Sequence, residues 1–358
     1  MLKKILKIVG LTSAIVVAVV VCYVLYVIVS YNRIQDMQDL EVSQKAQMQC
    51  VNLNTEYSVI TQNCGFGAYS PDFTFFMDGG THTWASSKES AVANIDMATN
   101  KALSFDPDFV LFQEVDTDST RSYHVNQQDQ IAKCFPEYDQ IFAVNFHSVF
   151  LAYPLTQPHG ICNSGIMTLS KAKVERALRR SLAVSDGFER FFDLDRCYSV
   201  SRIPVENGKE LVLYNVHLSA YCEDSKIRDS QIKQLLQDMR KEYENGNYTI
   251  CGGDFNQDFT GDSVLTLGNE KAREYKWPVQ PFPRDFLPEG ILQALKYDDC
   301  ELIPTCRSSD VPYGPDCTTF VIDGFLVSCN VKVTELKNID TKFAYSDHNP
   351  VFMRFMLE

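Results

Sequence analysis

The start of the chain is almost uniformly apolar. After Met1-Leu2-Lys3-Lys4-Ile5-Leu6-Lys7, the segment IVGLTSAIVVAVVVCYVLYVIV, residues 8–29, holds no charged side chain. Roughly 20 apolar residues cross a bilayer core, so this run predicts a transmembrane helix. It is longer than the roughly 7 to 15 residues of a signal-peptide core, and no Ala-x-Ala cleavage pattern follows it. Val21 before Cys22 lacks the small side chain of a lipoprotein cleavage site. Lys3, Lys4 and Lys7 lie on the short N-terminal side. The positive-inside rule then predicts a cytoplasmic stub over residues 1–7 and a single-pass anchor in the cell membrane, with the rest of the chain extracellular. Residues 30–56 are polar and partly Gln-rich (IQDMQDLEVSQKAQMQ), with Ile34, Met37, Leu40 and Val42 at helical spacing, and predict a semi-rigid stalk.

From residue 57 the pattern changes to short apolar, β-branched runs. These are YSVITQN (57–63), DFVLFQEV (108–115), GIMTLS (165–170), ELVLYNVHL (210–218), YTICGGDF (248–255), FVIDGFLVS (320–328) and PVFMRFML (350–357). Several are apolar at consecutive positions, as in strands covered on both faces. Two stretches carry helical spacing instead. Ser86 and Glu89 form a capping box ahead of Ala91, Ile95, Ala98 and Ala102. Ile232, Leu235, Leu236, Met239 and Tyr243 line one face of a helix over 225–244, which Asn245-Gly246-Asn247 ends. Strands interleaved with helices predict one layered α/β (α+β) domain over 57–358.

Composition narrows the partners. With a net charge of -13 and a pI near 5.0, the chain is poorly suited to a broad electrostatic grip on nucleic acid or on an anionic bilayer. Among its 12 cysteines no CxxC pair has metal spacing. Cys64, Cys251 and Cys329 lie within apolar runs and are expected to be small core residues. Cys300, Cys306 and Cys317 are close enough for one disulfide, which an extracellular site permits. Nothing in the sequence points to a protein partner.

The polar residues that interrupt the apolar runs fall at or near their ends. Asn63 closes the first run and Glu114 nearly closes the second; His217 lies in LVLYNVHL; Asp254 and Asn256 close TICGGDFN; Asp323 lies in FVIDGFLV; Asp347 and His348 precede PVFMRF. Any one of these would serve as a satisfied core polar group or a strand cap, and AYSDHNPVFM (344–353) taken alone is a turn before an edge strand. Buried charge without a partner is costly, so carboxylates, amides and histidines gathered at one sheet end suggest a shared task such as holding a metal.

In this order the motifs resemble the endonuclease/exonuclease/phosphatase superfamily of DNase-type nucleases, abasic-site endonucleases, neutral sphingomyelinases and inositol polyphosphate phosphatases. The resemblance runs from about residue 57 to the C-terminus. It rests on QEV (113–115), GGDFN (252–256), ID (322–323) and SDHNPV (346–351), with NSGIMTLS (163–170) and NVHL (215–218) fitting the middle of the pattern. It implies a four-layer αββα sandwich of two packed mixed β-sheets flanked by helices, with a cleft at one end. It also implies a metal-dependent phosphoester hydrolase, a phosphodiesterase first of all, using Mg²⁺ or Mn²⁺. Asn63 and Glu114 would be hard oxygen ligands, with Asp347 completing or tuning the set. Asp254 would orient or deprotonate the attacking water, and Asn256 would fix Asp254 and contact the phosphate. His348, oriented by Asp323, would stabilise the transition state or act as base, and His217 would contact the phosphate or protonate the leaving oxygen. The sequence does not choose between Asp254 and the His348–Asp323 pair as general base.

One departure stands out: Asn63 is followed by Cys64-Gly65, so the Asp that abasic endonucleases often carry two residues later is missing. The aromatic loop FGAYSPDFTFFMDGGTHTW (66–84) reads equally as a substrate lid, a lipid-facing rim or a loop packed on itself. Arg121, His124, His159 and Asn163 are candidate substrate contacts, and Arg179 with Arg180 forms either a phosphate clamp or a surface pair. A phospholipid head group, a nucleic acid cut by a DNase-type endonuclease, and a soluble phosphorylated metabolite cut by a phosphomonoesterase all fit. A pseudoenzyme or adhesion module would lack a catalytic residue, and none of the expected set is missing.

Overall fold

Alternate residues of each continuous apolar run face opposite ways, and both faces are covered. In strand β2 (Tyr57–Asn63), Val59 enters the core between two sheets while Ile60 packs under helices; in β3 (Phe109–Asp116), Phe109 and Leu111 face the first core, and Val110 and Phe112 the second. The computed structural model describes residues 1–185, 187, 190, 194–220, 225–268, 279–294 and 302–358. One mixed sheet combines β2 and β3 with β4 (Asp139–His147), β5 (Asn163–Ser170), β16 (Val331–Asn338) and β17 (Val351–Leu357) in the order β16-β17-β2-β3-β5-β4.

The other sheet is built from β1 (Gln38–Leu40), β6 (Arg176–Ser181), β7 (Cys197–Pro204), β8 (Glu210–His217), β9 (Tyr248–Asp254), β12 (Ile291–Gln293) and β15 (Asp323–Ser328), in the order β1-β6-β7-β8-β9-β15-β12. Only β2 with β3 and β8 with β9 pair in parallel within these two sheets. Two short ladders, β10 (Gln257–Asp258) with β11 (Gln280–Pro281) and β13 (Cys306–Arg307) with β14 (Thr319–Phe320), lie outside them. The helices α2 (Lys88–Leu103) and α3 (Gln127–Cys134) cover the six-stranded sheet through Ile95, Ala98, Ala102 and Ile131, and α4 (Ser225–Glu244) covers the other through Ile232, Leu235, Leu236 and Met239. The result is the four-layer αββα arrangement.

Between the sheets runs a polar seam. Gln113 donates from Nε2 to Asn215 Oδ1 at 2.7 Å and to Thr61 Oγ1 at 3.1 Å, and Asn215 Nδ2 reaches Met167 O at 3.0 Å. All of these groups are buried, and the hydrogen bonds between them specify one offset between the sheets, although Gln113 Oε1 has no partner.

The N-terminal helix α1 (Leu2–Ser30) takes in both the stub and the apolar run, and its most apolar window has a mean hydropathy of 2.7 with none of it buried, enough by length and composition to cross a membrane. Several sequence expectations need correction. Residues 30–56 are no free stalk: β1 pairs with β6, Val51 is fully buried, and bridges join Met48 to Ala172 and Val51 to Val205. Of the apolar side chains that looked like a sparse helix stripe, Leu40 and Val42 pack against the core and anchor this strap, whereas Met37 is exposed. The α2 cap is Ser87, whose side chain accepts from Ser90 N, one residue later than the predicted Ser86. Cys329 is exposed in a turn after β15. Cys306 is a free thiol, while Cys300 lies outside the described residues.

Candidate active site

The two sheets bring their polar strand ends to one place. Asn63 ends β2, Glu114 lies near the end of β3, and Ser346 to His348 lead into β17, which pairs with β2. From the other sheet come His217 at the end of β8, Asp254 at the end of β9 and Asp323 at the start of β15; Asp254 is in register with both. A register shift in β3 between Phe112 and Val115 re-aims Glu114, which sits at φ 53°, a left-handed conformation uncommon away from glycine. Gly253 lets β9 approach β8: a Cβ there would lie 2.1 Å from Val216 O.

Asp254, 1% exposed, is the centre. Its Oδ2 accepts from Asn63 Nδ2 at 3.0 Å, its Oδ1 from Asn256 N at 2.8 Å, and two histidine Nε2 atoms flank it, His217 at 3.6 Å and His348 at 3.7 Å. Burial and Asp323 push its pKa up to about 6 against the pull of His348. Asn256 holds the turn by donating to Leu218 O at 2.9 Å.

The two histidines are held in opposite states. Burial keeps the His217 imidazole well below its ordinary pKa, and the Arg196 charge adds to this. Burial also disfavours charge on His348, but the Asp323 carboxylate, 2.8 Å from Nδ1, outweighs it together with Asp254 and raises its pKa well above the usual value. Asp323 is itself placed by Thr305, whose Oγ1 accepts from the backbone N–H of Ile322 and of Asp323. The Cys306 Sγ lies 3.5 Å from His348 Nε2, with its thiol pushed up to about 12, first by burial, so it stays protonated.

Asn63, Glu114 and Asp347 form the oxygen-rich side. Asn63 Nδ2 also reaches Glu114 Oε1 at 3.2 Å, and Gly65 N donates to Asn63 Oδ1 at 2.9 Å. Burial, with the Glu114 carboxylate, pushes Asp347 up to about 7 despite His348. An anionic, all-oxygen donor set of this kind fits a hard divalent cation. The ligand atoms of Asp254, Asp323 and His348 also lie within 4.8 Å of one another. That triad suits a cation less well, because His348 already carries positive charge and its Nδ1 is bonded to Asp323.

The remaining predicted residues lie elsewhere. Arg121 is buried in a two-pronged ion pair with Asp116, at 3.1 and 2.8 Å, and stacks 3.9 Å from the Phe66 ring centroid, so it holds the loop rather than offering a free cation. His124 is exposed and pairs with Asp118. His159 is buried against Phe75 and Phe76, its pKa pushed down to about 3 by burial and then by Arg121. Asn163 donates to Asp118 O at 3.0 Å and accepts from Thr117 N at 2.8 Å. Arg179 bonds carbonyls of Val144 and Asp195, and Arg180 pairs with Asp36 and Asp238. The aromatic loop packs on itself through Phe66, Tyr69, Phe73 and Phe75, with Arg307 bonding Ser70 O at 3.0 Å.

One cation was missed. Arg196, directly before β7, is 3% exposed, yet its Nε and Nη1 have no hydrogen-bond partner. Its setting, DLDRCYSV, offers nothing to distinguish it from a solvated arginine.

A model of the endonuclease/exonuclease/phosphatase family matches residues 60–348. No curated protein matches the sequence. Similar solved structures include an endonuclease/exonuclease/phosphatase from Beutenbergia cavernae DSM 12333, at 15% identity and TM-score 0.54 over 84% of this chain and 72% of that one. TDP2 from Caenorhabditis elegans is similar at 18% identity and TM-score 0.51 over 85% and 75%. ANGEL2, described as a 2',3'-cyclic phosphatase, in complex with adenosine-2',3'-vanadate, is similar at 15% identity and TM-score 0.55 over 90% and 100%.

Proposed function

The chain belongs to the endonuclease/exonuclease/phosphatase family of phosphoester hydrolases, and from that premise we propose that it is a divalent-metal-dependent phosphodiesterase displayed outside the cell on a membrane anchor. The observation that carries this reading is the surround of Asp254: a buried carboxylate between His217 and an Asp323-bonded His348, beside an oxygen-donor set. Asn63 and Glu114 would hold Mg²⁺ or Mn²⁺, with Asp347 completing the set; the ion would supply charge neutralisation at the phosphoryl oxygens. Asp254 takes a proton from the attacking water, and Asn63 and Asn256 keep its carboxylate pointed. His348, charged against Asp323, binds the phosphoryl oxygens as negative charge builds, and Arg196 adds a second cation from the other sheet. His217, its Nε2 3.9 Å from Glu114, would contact the phosphate or protonate the leaving oxygen. The similarity to ANGEL2, described as a 2',3'-cyclic phosphatase, is compatible with diester chemistry.

The test uses the full chain with Mg²⁺ and with EDTA, and its His348→Ala variant, on plasmid DNA, on sphingomyelin or phosphatidylinositol vesicles, and on an aryl phosphodiester. The expected result is hydrolysis of one class that requires metal and falls about a hundredfold or more in the variant. Full activity in a folded His348→Ala chain, or in EDTA, would overturn the assignment.

A further inference from the structure

The connection from β4 to β5 is a finger with an unusual surface. Residues 148–161, SVFLAYPLTQPHGI, contain no Asp, Glu, Lys or Arg. Its base is stapled by a reciprocal pair, Leu151 N to Gly160 O at 3.0 Å and Gly160 N to Leu151 O at 3.1 Å, and Thr83 and Trp84 brace its far limb at Gln157 O and Pro158 O. The apolar side chains nevertheless point outward: Phe150 is 41% exposed, Tyr153 71%, Leu155 85% and Ile161 40%. A braced loop that exposes its large apolar groups together marks a surface with a partner.

Its position says which partner. Tyr23 of α1 donates its hydroxyl to Phe150 O at 3.0 Å and accepts from Ala152 N at 3.1 Å, and Tyr26 accepts from Phe150 N at 3.4 Å. Tyr23 lies about 10 Å back along the helix from Ser30, so the finger climbs α1 by roughly two turns toward the apolar segment. Tyrosines at the end of a membrane span sit at the headgroup level, which places Phe150 and Ala152 there and leaves Tyr153 and Leu155 exposed on the same finger, directly beyond them in the chain. We infer that the 148–161 finger rests in the lipid interface as a second membrane contact, with the bilayer surface itself as its occupant. Without ionised side chains it enters without desolvating charge, and it draws on apolar burial rather than attraction to anionic lipid, consistent with the chain's charge of -13. The finger leaves β4 and enters β5 at the sheet end that carries Glu114, since Gly165 pairs with Val115. Its docking would turn the catalytic end of the sandwich toward lipid headgroups. This inference rests on α1 being a membrane span.

The test reconstitutes the full chain carrying Leu155→Trp in phosphatidylcholine vesicles, with and without bromine on the upper acyl chain, and subtracts the parent chain with its two tryptophans. Lys332→Trp, exposed at the opposite sheet end, is the control. The expected result is a blue-shifted added emission that loses more than half its intensity to brominated lipid, with no such loss for Lys332→Trp. A chain that resists carbonate extraction while Leu155→Trp is quenched by aqueous acrylamide and not by bromine would overturn the inference and leave the anchor standing. Extraction by carbonate would overturn the anchor itself. Protection from acrylamide that grows with protein density, without bromine quenching, would mean that a second copy covers the finger and would also overturn it.

Discussion

Replacing Arg196 by methionine should move stability and activity in opposite directions. The side chain is 3% exposed, and two of its three nitrogens have no partner. Methionine keeps the apolar stem and removes an uncompensated buried charge, a change of the class that yields gains of about 0.5–2 kcal/mol. If the guanidinium meets the reacting phosphate, each hydrogen bond to a charged group is worth about 1.5–3 kcal/mol, or a roughly 10- to 150-fold loss of kcat/KM. Removing the charge also lets the His217 pKa rise, since Arg196 helps hold that imidazole neutral after burial itself. Urea unfolding gives the first quantity and metal-dependent hydrolysis of an aryl phosphodiester the second. Equal losses of stability and activity, or unchanged activity in a more stable chain, would refute the assignment and make Arg196 a packing residue.

Asp323→Asn removes the charge that orients His348 and holds it cationic, so turnover should fall by about a hundredfold to ten-thousandfold while circular dichroism stays unchanged; retained turnover would separate Asp323 from the chemistry. Arg121→Met leaves Asp116 buried without its partner and should destabilise the domain by about 3–5 kcal/mol in urea, with activity per folded molecule preserved. His159 is buried and neutral, with a folded pKa near 3 against roughly 6.5 when unfolded. A depressed histidine contributes stability above its unfolded pKa and loses it on acidification, so the domain should lose about 2 kcal/mol between pH 7.5 and pH 5 through this residue. His159→Gln, unfolded at both pH values, should lack that difference.

The strand ends were legible because the two-sided sandwich makes its strands continuous apolar runs, against which Asn63, Asp254 and Asp323 are conspicuous. β4, DQIFAVNFH, has alternating burial, but its apolar residues form only the four-residue run IFAV between polar neighbours, too short to stand out as a strand. β6, RALRRS, hides its strand character behind arginines whose partners, Asp36, Asp238 and the Asp195 carbonyl, are remote in sequence. β1 is three residues held by backbone pairing to β6, which no local pattern announces. Arg121 was misjudged for a related reason: its partner, Asp116, is only five residues away, but the turn that joins them appears only in three dimensions.

The Gln113–Asn215 seam has a mechanical meaning. Asn63, Glu114 and the Asp347-His348 pair ride on one sheet, whereas His217, Asp254 and Asp323 ride on the other, so the chemistry is divided across a joint. The spacings that cross it, 2.8 Å between His348 and Asp323, 3.0 Å between Asn63 and Asp254 and 3.7 Å between His348 and Asp254, are tolerances of that joint rather than of any single loop. Substitutions in the seam, remote from any phosphate, should therefore blunt turnover well before they lower the melting temperature. A domain that looks intact can be out of alignment.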